Sequence, residues 1–375
     1  MSQNKHSETL DKAVAALEDV YGPFRSLSPA EALTWTPPPA AAGHRGRYLW
    51  TDAFGVVDFI TLFRLTSNIS YLHLAARLID AVHNTLGRTR SLQERLPGAS
   101  TEHPLAGGLR IGKEDESGPD CDGQYHHYLT LWMFALNRMS VASGEQRYND
   151  LAIELAKAIH PAFMTARDSP RPRMFWKVSM DLSHPLVSSE GNLDPIDGYV
   201  TYSLLQERSG NPEVLKQEIS EYKKILDVKW RYYQSDDPLD LGMTLWTAHW
   251  FAGKADWADS LLRKAVSDLH EVAVEERYFE HPVYQRLAFR EFGTCMGIGC
   301  ASEHMFVQEK KLNSLRSKII GQWEKAGIGA HATDSMLGAS VRKIVQRQGL
   351  KPITMVMYAA AVLPGAFRRG YLGDY

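Results

Sequence analysis

The sequence predicts an all-α fold: an (α/α)6 toroid of helical hairpins with long loops over one mouth of a central cavity. Three observations carry this expectation. A helix–turn–helix pattern recurs along the chain, apolar residues fall at helical spacing, and strand signals are scarce. No stretch alternates cleanly beside an Asn-Gly or Asp-Gly hairpin turn.

Taken in order, residues 1–46 read as an N-terminal helix around residues 10–20, then an extended lead-in stiffened by Pro37-Pro38-Pro39 over residues 35–42. Residues 47–375 carry the hairpins, and the whole chain reads as a single domain. The first copy pairs residues 59–65 with 72–86, and the second pairs 128–139 with 151–159. The third pairs 199–206 with 214–226, and the fourth pairs 245–251 with 261–269. Fainter copies follow at 289–301 with 306–323, and at 341–345 with 354–363, the last closed by the N-terminal helix. Ser143-Gly144 and Ser209-Gly210 end first helices, since glycine accepts the left-handed conformation of a C-cap. First helices are apolar nearly all round (Leu129, Leu131, Trp132, Met133, Phe134, Leu136), as in helices buried on every side. Second helices are amphipathic. One hairpin cannot bury its apolar face alone, so the copies must stack. Residues 87–122 and 164–194 form long connections whose apolar and aromatic content favours ordered loops.

Composition sets the outer bounds. The chain has 375 residues, 44% of them hydrophobic, enough for a sizeable core. A formal net charge of -2 argues against a nucleic-acid partner. No apolar run reaches the roughly 18 residues of a membrane span, and the N-terminal stretch lacks the apolar core of a secretory signal. Three cysteines, Cys121, Cys295 and Cys300, make no disulfide framework, so a cytoplasmic protein with reduced thiols is expected.

The first helices also share a feature that packing does not require. Each begins near an acid followed closely by glycine: Trp50-Thr51-Asp52-Ala53-Phe54-Gly55, Asp120-Cys121-Asp122-Gly123-Gln124-Tyr125-His126-His127-Tyr128, Asp194-Pro195-Ile196-Asp197-Gly198-Tyr199, Asp240-Leu241-Gly242 and Glu291-Phe292-Gly293. In a ring these positions converge on one mouth. Helix capping by Asp, worth on the order of 1 kcal/mol, is the plainer explanation of any single one. The set, with its aromatic and histidine neighbours, points to a polar ligand site. Two carboxyls facing each other can divide the roles of acid and base or nucleophile. Asp122 is the first candidate, Asp197 the second and Asp52 the third, while Asp194, before a proline, reads as a turn residue. Losing the Asp122 charge is therefore expected to abolish turnover and spare the fold. Trp50, Tyr125, Trp176 and Tyr199 offer stacking faces, and Gln124, His126 and His249 offer hydrogen bonds. Arg110 or Lys113 in the glycine-rich loop 107–113 is placed to hold an anion. No histidine pair has metal-ligand spacing with a third ligand near, so neither metal nor cofactor is expected.

The helix openings Trp50 to Gly55, Asp122-Gly123-Gln124-Tyr125 and Asp197-Gly198-Tyr199 resemble the six-hairpin glycosidase superfamily, most closely the unsaturated glucuronyl hydrolases. The resemblance covers about residues 47–270 and implies a glycoside hydrolase with a general acid/base on Asp122 or Asp197, acting on a small sugar-like substrate. The N-acylglucosamine epimerases and mannose isomerases, which share the toroid, imply instead proton transfer by histidine, with His126, His249, His281 and His304 as candidates. A terpenoid cyclase with an Asp general acid and a non-catalytic helical scaffold are the remaining alternatives. Oligomeric state is not readable from the sequence.

Overall fold

A computed structural model describes residues 2–39, 46–118, 121–304, 309–329 and 350–373. Expected features at residues 40–42, Asp120, Phe306 and 341–345 lie outside them. The helices run α1 Ser2–Tyr21, α2 Pro29–Thr34, α3 Leu49–Thr66, α4 Ile69–Leu86, α5 His126–Ser143, α6 Gln146–Phe163, α7 Asp194–Ser209, α8 Lys216–Lys229, α9 Pro238–His249, α10 Asp256–His270, α11 Ala288–Ala301, α12 Glu309–Lys325 and α13 Lys351–Val362. The hairpins foreseen are therefore α3–α4, α5–α6, α7–α8, α9–α10 and α11–α12, with α13 packed on α1.

Burial follows the pattern of the sequence. Every residue of α3 from Leu49 to Leu62 is buried, whereas α4, α6 and α10 bury one face. Gly144 (φ 77°) and Gly210 (φ 67°) take the left-handed C-cap conformation after α5 and α7. Asn68 caps α4 by accepting the Ser70 N–H. Capping does not account for the acids singled out above. The residue before α5 is Tyr125 and that before α7 is Leu193, neither with a side-chain cap, and α9 is capped by Asp237 rather than Asp240.

The chain divides into two compact units. One comprises Pro29–Arg64 and Asn68–Tyr232. Within it α5 packs on α4, α6 and α7, and α7 packs on α8. A buried amide network joins three of these helices: Asn137 Nδ2 donates to Asn149 Oδ1 (2.9 Å) and the Leu204 carbonyl (3.2 Å), and Asn149 Nδ2 donates to the Leu205 carbonyl (3.0 Å). The long loops are stapled by four two-residue strands that the alternation criterion could not detect. β1 (Gln124–Tyr125) pairs antiparallel with β4 (Lys177–Val178), and β2 (Met164–Thr165) with β3 (Arg173–Met174).

The other unit comprises Met1–Ser28, Leu65–Ser67 and Tyr233–Tyr375. Here α9 and α11 meet backbone to backbone. A Cβ on Gly297 would stand 2.0 Å from the Gly242 carbonyl oxygen, and one on Gly242 would stand 2.3 Å from that of Gly293. The glycines of Asp240-Leu241-Gly242 and Glu291-Phe292-Gly293 thus serve close helix contact. Glu291 is fully buried on Arg286 (Nε–Oε1 2.7 Å) and accepts the Trp323 indole N–H (2.8 Å).

Gly297→Ala forces these helices apart and is expected to cost about 1–3 kcal/mol. Gly321→Ala on α12, where a Cβ meets nothing within 4 Å, is expected to be neutral or to stabilise by up to about 1 kcal/mol. Urea denaturation of the two variants measures the difference.

Candidate functional site

Apart from His249, His281 and His304, the residues expected at the site fall in the unit that contains α3–α8. At the start of α3, Asp52 is buried and accepts from Arg47 Nε at 2.8 Å, while Arg47 also donates to the Pro38 carbonyl. The pair lines a cavity of about 200 Å³ with Thr36, Pro37, Thr85 and Leu86. Asp52 is thereby one half of a buried ion pair.

Asp122 stands just ahead of α5, with its carboxylate shielded from solvent. Oδ1 accepts the backbone N–H groups of Gly112 (2.9 Å), Lys113 (3.3 Å) and Gly123 (3.0 Å). Oδ2 accepts from Arg110 (3.0 Å) and Arg90 (3.3 Å). Two carboxylate oxygens offer about four lone-pair sites, so five donors fill their capacity. Arg110 completes this arrangement by donating to the Arg88 and Thr85 carbonyls (2.9 and 3.3 Å). Gln124, also buried, accepts the Leu109 N–H (3.0 Å) and donates to the Gly107 and Met180 carbonyls (both 2.8 Å). Asp122, Arg110 and Gln124 therefore fasten the loop 107–113 and the strand β4 region to the start of α5. The anion-holding role expected of Arg110 is occupied by Asp122.

The aromatic residues do come together. Tyr125 lies edge-on to Trp176 (5.3 Å between centroids) and tilted to Tyr128 (5.4 Å); Trp50 contacts Tyr128 (5.3 Å) and His127 (5.8 Å); His127 stands edge-on to Tyr128 (4.5 Å). The Trp50 indole nitrogen is buried without a hydrogen-bond partner. Two lysines that the sequence did not single out as a pair flank Tyr125, with Lys177 Nζ 4.8 Å and Lys113 Nζ 5.5 Å from its centroid. Lys177 also reaches the Cys121 sulfur (3.4 Å). Burial, reinforced by Lys177, pushes the Lys113 ammonium down to about 8. The strand pairing Tyr125↔Lys177 produces this juxtaposition.

Asp194, expected to be a turn residue, opens α7 instead, with its proline in the first turn where the missing N–H costs nothing. Its Oδ1 lies 3.3 Å from His126 Nδ1 and 3.5 Å from His127 Nδ1. Both contacts are within ion-pair reach but off the hydrogen-bonding axis, so Asp194 Oδ1 has no hydrogen-bond partner. Burial opposes the charge on Asp194, yet the two histidines outweigh it and hold the carboxyl well below the usual carboxylate range. His126 is fully buried, with Nε2 2.6 Å from the Tyr222 hydroxyl. The His127 side chain is 32% exposed. Deeper in the unit, His160 Nε2 meets Glu221 (2.9 Å), which also takes Arg167 (2.8 Å). Asp197 follows Asp194 by three residues in the same first turn, nearly buried, and Tyr199 is partly exposed beyond it.

His249 lies in the unit with α9–α13. Its Nδ1 donates to the Trp246 carbonyl, its Nε2 accepts the Arg369 N–H (3.0 Å), and burial pushes it down to about 3, so both nitrogens are committed in the neutral ring. His281 and His304 belong to the same unit. Among the described residues, no group of three or more His, Cys, Asp or Glu is arranged to hold a metal ion, and no helix is long and apolar enough to cross a membrane.

No family model and no curated protein sequence matches the chain. Solved structures do. A GH76A α-1,6-mannanase from Salegentibacter sp. HEL1_6 aligns with 10% identity and a TM-score of 0.55, over 95% of this chain and 98% of its own. A sugar epimerase from a ruminal bacterium aligns with 11% identity and a TM-score of 0.54, over 88% of each chain. A family 76 glycoside hydrolase from a bovine Bacteroides thetaiotaomicron strain aligns with 12% identity and a TM-score of 0.55, over 94% of this chain and 77% of its own. At such identities the likeness is one of fold: the fold class is the all-α toroid of helical hairpins.

Two predictions follow from these charges. Asp122→Asn leaves two guanidinium groups facing a neutral amide. It is expected to cost about 3–5 kcal/mol and to expose loop 107–113 to protease, so the loss appears in stability as well as in any turnover. Asp58, mid-way along α3, is 3% exposed, its Oδ2 lacks a partner, and burial pushes it well above the carboxylate range. Its folded pKa exceeds the unfolded value of about 3.9. Stability tied to the neutral acid is therefore complete below that pH and is lost as pH rises through the folded value. Asp58→Asn should match the native melting temperature near pH ~4 and exceed it increasingly toward pH ~8.

Proposed function

We propose that the chain is an enzyme acting on a small sugar-like substrate, and that it isomerises or epimerises that substrate through proton transfer by His127 supported by Asp194. The observation that carries this reading is the convergence of His126 and His127 on one oxygen of a buried, ionised Asp194. A carboxylate that orients one imidazole nitrogen and favours its protonated form leaves the other nitrogen to act as base and then as acid. His127 is suited to this because it alone of the three is substantially exposed, with Trp50, Tyr125 and Tyr128 around it as stacking faces.

In the reaction, His127 Nε2 takes the proton from the carbon next to the carbonyl of an open-chain sugar. The C–H electron pair becomes the double bond of an enediolate, and the carbonyl oxygen gains the negative charge. Lys113 and Lys177 beside Tyr125 supply positive potential for that charge. Returning the proton to the former carbonyl carbon, while the hydroxyl proton of the first carbon passes to the enediolate oxygen, gives the isomer; returning it to the opposite face of the first carbon, after the enediolate turns over in the site, gives the epimer. The sugar epimerase among the structural neighbours is consistent with this chemistry.

Glycoside hydrolysis is the second reading. It is favoured by Asp194 and Asp197 sharing the first turn of α7, and by the mannanase and glycoside hydrolase neighbours. The filled hydrogen-bonding capacity of Asp122 counts against a mechanism that uses it as acid or base.

A panel of aldoses, ketoses, N-acylated amino sugars and mannosides in D2O separates the two. Isomerisation deposits solvent deuterium on the carbon next to the carbonyl, and His127→Gln should slow that exchange by about 10²–10⁴-fold. Release of reducing ends without exchange overturns the isomerase reading in favour of hydrolysis, and neither outcome across the panel removes the sugar assignment.

A further inference from the structure

Behind the proposed acid–base pair lies a buried polar chain that the reaction itself does not use. Tyr222, from α8, is fully buried, and its ring lies against the backbone of α7. A Cβ on Gly198 would stand 2.6–2.8 Å from that ring, so glycine at this position is what lets Tyr222 reach His126. Tyr202 and His160 hold the ring edge-on, at 5.2 and 4.8 Å between centroids. From this fixed position the hydroxyl approaches His126 Nε2 to 2.6 Å, while the opposite nitrogen of the same imidazole faces Asp194.

We propose that Tyr222 is a positioning residue that fixes the tautomer of His126, donating its O–H to Nε2 so that the hydrogen sits on Nδ1, the nitrogen that faces Asp194 at 3.3 Å. The inference rests on the reading that Asp194 serves His127. In the opposite neutral tautomer, His126 Nε2–H donates to the tyrosine and a bare Nδ1 lone pair confronts the carboxylate oxygen at 3.3 Å. That leaves a repulsive contact where the alternative gives an attractive one. With His126 doubly protonated, two imidazole rings compete as cations for one carboxylate oxygen, and the positive charge of His126 sits where no water reaches it. The Tyr222-to-Nε2 arrangement avoids both penalties. Burial also raises the phenol well above its ordinary range, so it remains a donor. His126 then presents its Nδ1–H side to Asp194 and leaves the carboxylate oxygen within reach of His127.

The test needs no substrate. In protein labelled with 15N-histidine, with His126 assigned by its loss in His126→Gln, nitrogen shifts and proton couplings report which ring nitrogen carries hydrogen. The wild type is expected to show Nδ1–H and a hydrogen-bonded, unprotonated Nε2. Tyr222→Phe, which keeps the ring and removes the hydroxyl, is expected to shift Nε2 and to populate the other tautomer. Tyr233→Phe, which loses a buried hydroxyl bonded to Asp240 (3.0 Å) in the other unit, controls for general destabilisation and should leave His126 unchanged. An Nε2–H tautomer in the wild type overturns the proposal, as does a His126 spectrum unaltered by Tyr222→Phe. Should that variant fail to fold, the wild-type spectrum decides alone. A silent sugar panel with this tautomer present would reject the proposed reaction and leave the positioning role standing.

Discussion

A carboxylate can be buried at a helix start only if donors meet it, because an uncompensated buried charge costs several kcal/mol. That constraint organises the molecule. Asp52, Asp122, Asp194 and Glu291 are all nearly inaccessible, and each is answered by a different set of donors. Asp52 takes one arginine; Asp122 takes two arginines and three backbone N–H groups; Glu291 takes an arginine and an indole. Asp194 is answered by charge rather than by a hydrogen bond, with two histidine nitrogens 3.3 and 3.5 Å from its Oδ1. The chemical character of each acid is set by these partners more than by its place in a motif. Arginine is protonated at every accessible pH and locks its acid as a permanent ion pair. Histidine can gain or lose its proton near neutrality, so the acid it meets belongs to a system that can do work.

The same contrast explains what could be read from the sequence. The hairpins were legible because helix periodicity and left-handed glycine caps are local properties: Leu151, Leu155 and Ile159 mark a face without knowledge of any neighbour. The position of acids near helix starts was local too, and Asp52, Asp122 and Asp197 were found on that basis. Their partners were not local. Arg110 lies 12 residues from Asp122, and Tyr222 lies 96 residues from His126. Proline after Asp194 supported a turn, whereas the structure uses it inside the first helical turn. The lysines beside Tyr125 depend on a two-residue strand pairing too short to leave an alternating pattern.

Glycine shows the same separation between local pattern and long-range cause. An acid followed by glycine looked like a single recurring device. In Gly242 it permits two helix backbones to touch, in Gly293 it makes room for the Leu239 side chain, and in Gly198 it admits a tyrosine ring against a helix. A missing side chain serves whichever element arrives from elsewhere in the chain, so the motif repeats while its purpose does not.

A shared toroid therefore carries little information about reaction type. The fold delivers helix starts bearing acids, and the mannanase and the sugar epimerase that align with this chain resemble it equally well. What separates proton transfer on a carbon from cleavage of a glycosidic bond is which groups remain able to exchange protons after the buried charges have been satisfied. In this chain Asp122 has spent its lone pairs on holding loops, whereas His127 retains an exposed imidazole on an ionised carboxylate. Histidine, with an ordinary pKa of about 6.5, can serve as both base and acid within one catalytic cycle near neutral pH. A hydrolytic route through Asp194 and Asp197 needs one of two neighbouring carboxyls to keep its proton, and with Asp194 held in the ionised form by its histidine contacts that proton would have to stay on Asp197.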